Sequence, residues 1–75
     1  MSRLPQVSGR EVIKVLQKLG FAQDRQRGSH IVMRQLAEPH RRITLPDHSP
    51  IAKGTLRAII RQAGLTVEEF VVLLD

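Results

Sequence analysis

Imidazole is the side chain whose ordinary pKa lies nearest neutrality, and the sequence holds three, His30, His40 and His48, and no cysteine. His30 directly follows Gly28-Ser29. Two small residues in a tight turn leave little bulk in front of the ring, so a large substrate can reach it. An imidazole so placed can both take and give a proton, which is what scission of a phosphodiester by a neighbouring hydroxyl of the substrate demands. The nucleophile then comes with the substrate, and no serine triad or metal cluster is needed, provided cations nearby neutralise the charge that builds at phosphorus. Arg27, Arg34 and Arg42 are the candidates for that task. The plainer reading of His30 is a surface histidine that hydrogen-bonds its own turn. His40 falls in the turn signal Glu38-Pro39-His40 and His48 in a loop flanked by Pro46 and Pro50, which makes both weaker candidates. The three histidines and the scattered acids show no recognised ligand spacing, so no metal site is expected.

The elements that must hold these residues can be read from periodicity. Ser8 and Glu11 form a capping box, and Val12, Leu16 and Leu19, with Ile13 and Val15 beside them, predict a helix over about 9–19 that Gly20 stops. The opposite side of that helix carries Arg10, Lys14 and Lys18, a basic face most simply read as solvated. From Phe21 the period falls to two. A charged run to Arg27, the Gly28-Ser29 break and the alternation around Ile31 and Met33 predict a hairpin, and residues 41–45 supply a third strand. With Ile31, Met33, Ile43 and Leu45 inward, His30, Arg34, Arg42 and Thr44 point outward. Leu56, Ile59, Ile60 and Ala63 give a second helix ended by Gly64, and Thr66 with Glu69 caps a short third one bearing Val67, Phe70, Val71 and Leu74. The order α-β-β-β-α plus a terminal α, without repeats or linker, predicts one α+β unit over residues 1–75, with helices on one face of a three-stranded antiparallel sheet.

Charge narrows the partner. Twelve Lys and Arg stand against seven Asp and Glu, for a net +5, and residues 1–64 alone carry +8 because three of the acids lie beyond them. Such a field fits a polyanion. Phe21 and Phe70 are the only aromatic residues and both suit core packing, which disfavours a base-stacking platform. Binding through phosphates is expected instead, weakening with salt and discriminating little between sequences. Lys53, Arg57 and Arg61 recur along one side of the second helix, where Gly54-Thr55 and the helix N-terminus can receive a phosphate; a solvated basic face explains them equally well. Met1 to Pro5 is not followed by the apolar run of a secretory signal, and the apolar stretch 70–74 is too short to cross a bilayer, so a cytoplasmic protein is expected.

Taken in order, Gly28-Ser29-His30 on a strand, Ile43-Thr44-Leu45-Pro46 before His48, and Gly54-Thr55-Leu56 opening a helix that leads through Ala63-Gly64-Leu65 to Glu69-Phe70 resemble the HicA (YcfA-like) toxins. The resemblance spans nearly the whole chain. It implies a double-stranded-RNA-binding-domain-like fold, metal-independent cleavage of messenger RNA with no cofactor, and neutralisation by a HicB-type antitoxin. It also implies that His30 is catalytic and that Gly28 is the permissive turn residue before it. The expected RNA-contacting set is then Arg27, Gly28, Ser29, Arg34, Arg42, Lys53 and Arg57. Only Lys53 occupies the start of the second helix where such domains set several lysines, so modest RNA affinity is expected.

Two other functions fit parts of the sequence. A non-catalytic RNA-binding module shares the charge and the fold, and only the placement of His30 separates it from a nuclease. A helix-turn-helix reading of residues 53–74 is disfavoured because its recognition helix carries Glu68 and Glu69 and no base, which a phosphate groove would repel.

Overall fold

Ser8 begins the first helix by accepting a hydrogen bond from the Glu11 N–H, and the Glu11 carboxylate accepts from the Ser8 N–H in return. The computed structural model describes residues 3–74; Met1 and Ser2 of the N-terminal stretch, and Asp75 of the acidic tail, lie outside them. Helix α1 runs Gly9–Lys18, one residue shorter than periodicity suggests because Leu19 is its C-cap. Strands β1 (Phe21–Arg27), β2 (His30–Gln35) and β3 (Arg42–Pro46) follow, then α2 (Lys53–Gln62) and α3 (Val67–Leu73). Thr66 and Glu69 close a second capping box at the start of α3.

The strands form one antiparallel sheet in the order β1-β2-β3. Ile31, Met33, Ile43 and Leu45 face the helices and are buried with Val12, Val15 and Leu16 of α1, Leu56, Ile59 and Ile60 of α2, and Phe70 of α3. Their sheet neighbours His30, Arg34, Arg42 and Thr44 are exposed, so the expected inward and outward alternation holds. This is the α+β, double-stranded-RNA-binding-domain-like arrangement, with the helices on one sheet face and the other left open. Phe21 and Phe70 both lie in the core, at 5% and 1% exposure. In α3 only Phe70 is fully buried. Val67, Leu73 and Leu74 pack against the core beside it, and Val71, expected on the same stripe, is exposed because the face turned inward runs through Val67, Phe70 and Leu73 at intervals of three.

Lys18 joins the two ends of the chain by donating from Nζ to the Leu73 carbonyl oxygen at 2.6 Å, where a cation complements the negative end of α3. Arg10 approaches Asp47 at 3.9 Å, so the basic side of α1 is partly engaged within the domain. Among the described residues no helix is long and apolar enough to cross a membrane.

Candidate active site

His30 owes its position to a two-residue hairpin turn. β1 ends at Arg27 and β2 starts at His30, and the positive φ of 55° falls on Gly28 and not on Ser29, the pattern of a type II′ turn with glycine first. Nothing lies within 4 Å of where a Cβ on Gly28 would stand, so the glycine is required by the backbone angle and not by space. The turn leaves the His30 side chain exposed at the end of the sheet, directly across from Arg27 on one side and Pro46 on the other.

Register then decides which cations share its face. Arg25 stands opposite Val32, itself opposite Thr44, and Ala22 stands opposite Arg34, itself opposite Arg42. Strict alternation from buried Phe21 would turn Arg25 and Arg27 inward. An irregularity at Asp24 inserts one unpaired residue into β1 and brings both arginines out beside His30. Arg27 is therefore its cross-strand neighbour and Arg25 lies one row away. Arg34 and Arg42 share the face but sit four residues further along the strand, roughly 13 Å at a rise of about 3.3 Å per residue. Arg27 and Arg25 are thus the nearer cations to His30, and Arg34 and Arg42 the more distant pair on the same face. Arg42 also approaches Asp24 at 3.9 Å, an exposed pair of little energetic weight.

Below the turn lies an open cleft of about 330 Å³ bordered by His30, Thr44, Pro46, His48, Ala52 and Thr55. The loop after β3 and the start of α2 thus form its second wall. Ala52, the N-cap of α2, makes no side-chain capping bond, so the first-turn amides bring partial positive charge to this wall without a side chain competing for them. Lys53 is the first residue of α2 and is exposed. Arg57 is not brought to the cleft. It lines, with Arg61 and Ile60, a separate depression against Leu65, Thr66 and Val67.

The remaining histidines divide. His40 has a positive φ of 58° and holds its turn, with Nδ1 3.2 Å from the Gln35 carbonyl oxygen, so it serves the β2–β3 connection. His48 enters the cleft with His30. Two residues thus join the face or the cleft without a strong signal in the sequence. Arg25 depends on a bulge that no periodicity announces. His48 depends on strand register, which sets the residue two beyond His30's partner, Pro46, next to the hairpin turn. Among the described residues no group of three or more His, Asp or Glu is placed to hold a metal ion.

Comparison with known families decides the kinship: the family model for the HicA toxin of bacterial toxin-antitoxin systems matches residues 9–65, well over half of the chain. The chain belongs to the HicA toxin family. The match takes in α1, the whole sheet, α2 and both cleft histidines, while α3 lies beyond it. Membership makes the chain a toxin of a toxin-antitoxin system, and an antitoxin is its implied partner. No curated protein matches the chain.

Proposed function

We propose that this HicA family member is a cytoplasmic, metal-independent endoribonuclease of messenger RNA that works through His30 and is neutralised by a HicB-type antitoxin. The observation that carries the reading is the exposure of the His30 ring at the hairpin turn, with the Arg27 strand position directly across from it and an open cleft beneath. In RNA, proton removal from the 2′-hydroxyl lets that oxygen attack the adjacent phosphorus. The bond from phosphorus to the 5′-oxygen then breaks, leaving a 2′,3′-cyclic phosphate and a free 5′-hydroxyl. His30 exchanges the proton. Arg27, with Arg25 one row along, offsets charge on the phosphorane. Gly28 and Ser29 keep the approach clear, Arg34 and Arg42 hold phosphates further along the sheet, and Lys53 and Arg57 extend the basic surface over α2. Affinity drawn from phosphates gives little base preference.

The test is cleavage of single-stranded RNA by the purified chain in the presence of a chelator. Wild type is expected to cut and to arrest growth when expressed without its antitoxin. His30→Ala is expected to lose about 10²-fold or more of the cleavage rate, the low end for a general acid–base group, while still binding RNA. Equal cleavage by the two removes His30 from the chemistry. Binding without cleavage by either leaves a non-catalytic RNA-binding module.

A further inference from the structure

We infer that His48 is a second catalytic imidazole, so that His30 and His48 divide the two proton transfers of the cleavage between them, one accepting from the 2′-hydroxyl and the other donating to the departing 5′-oxygen. This rests on the ribonuclease reading and sharpens it. The chemistry supplies the first reason. Attack and departure occur on opposite sides of phosphorus, so a proton must leave one side as another arrives on the other, and a single imidazole serves both only by moving between them.

The structure supplies the second. His30 and His48 both line the same open cleft, His30 from the sheet and His48 from the loop joining β3 to α2, and both residues are exposed. The backbone under His48 is fixed on three sides. The Asp47 N–H donates to the Ser29 carbonyl oxygen at 2.6 Å, which ties the residue before His48 to the residue before His30. The Gly9 N–H donates to the His48 carbonyl oxygen at 2.9 Å, and the Ile51 N–H to that of Val7 at 2.8 Å. Gly9 admits this approach because it has no side chain: a Cβ there would stand 2.5 Å from the Pro46 carbonyl oxygen and 3.2 Å from the Asp47 Cα. A loop anchored in this way can hold an imidazole in register with one on the neighbouring strand. Among the described residues no protein group hydrogen-bonds either ring, whereas His40, outside the cleft, is engaged with Gln35. Both cleft rings are thus available to a substrate.

In the balanced step the accepting imidazole gains the 2′-hydroxyl proton as the new bond from the 2′-oxygen to phosphorus forms. The donating imidazolium loses its proton to the 5′-oxygen as the old bond breaks. Hydrolysis of the cyclic phosphate runs the same exchange backwards with water in place of the leaving alcohol, and restores both groups.

The test uses the full chain and one RNA oligonucleotide made twice, with oxygen and with sulfur at the bridging 5′ position of the cleavage site. A thiolate departs without being protonated, so sulfur removes the need for a general acid and leaves the need for a base. His30→Ala and His48→Gln are compared with wild type on both, with coincident melting curves as the check that the exposed His48 position has not disturbed the fold. Both variants are expected to lose about 10²-fold or more on the oxygen substrate. Sulfur is expected to restore one of them to within a few-fold of wild type and not the other; the restored variant lacks the acid. Wild-type cleavage by His48→Gln on the oxygen substrate overturns the inference and leaves the ribonuclease reading standing, as does sulfur rescue of both variants or of neither. No cleavage by wild type on either substrate overturns both.

Discussion

At the residue scale the hairpin glycine carries a cost that can be measured apart from chemistry. Gly28 has a φ of 55° and open space around its missing Cβ, so a substitution there meets strain from the backbone angle alone. Gly28→Ala is expected to destabilise the fold by about 1–2 kcal/mol, the penalty for an L-residue in the left-handed region, while Gly28→Asn costs less because asparagine tolerates it. Chemical denaturation of the two variants checks the order, and an alanine variant as stable as wild type would remove the turn requirement. The importance of this turn is legible in the amino-acid sequence, because Gly-Ser between a charged strand and an alternating one has few other uses. His48 is not legible in the same way. Its surroundings, Pro46 to Pro50, announce a loop, and a loop residue's neighbours follow from pairing register, which hydrophobic alternation alone leaves free to slide by two.

At the element scale the three strands, their alternation and both capping boxes follow from local pattern, and the structure repeats them with small shifts at the ends. The distribution of arginines does not follow, because one inserted residue inverts the facing of everything after it in β1. The bulge at Asp24 turns Arg25 and Arg27 to the face that bears His30, whereas Arg57, on α2, lines a different depression. Arg25→Ala is therefore expected to flatten the dependence of RNA affinity on salt by about 0.7 in the slope of log K against log salt, the loss of one phosphate contact on a single strand. It is also expected to slow cleavage more than Arg57→Ala does. Titrations at several salt concentrations, with rates measured alongside, read both effects. A larger loss at Arg57 would move the RNA path from the sheet to the helix.

At the scale of the whole molecule, the small core leaves little margin. Among the described residues fourteen buried apolar side chains form one cluster, and Phe70, among its largest fully buried members at 1% exposure, comes from the short terminal helix beyond the segment matched by the family model. Phe70→Ala is expected to cost about 3–5 kcal/mol, a large part of the 5–15 kcal/mol typical of a domain's total stability. Thermal melting and loss of antitoxin binding together would show it, and a near-neutral effect would mean that α3 merely rests on the surface. Phe70 is readable as core from its spacing with Val67 and Leu74. The tie that fastens the helix, Lys18 to the Leu73 carbonyl, joins residues 55 apart and has no counterpart in local pattern.

The irregularity in β1 has another consequence. β1 is a border strand, with its outer row of peptide groups turned away from β2. A straight border of that length is a template on which a second chain can lie down and propagate. Here the extra residue breaks the repeat, and Asp24, Arg25 and Arg27 place charge along it, a combination that resists stacking of copies. The β1 border of one copy is thus a poor template for the β1 border of another.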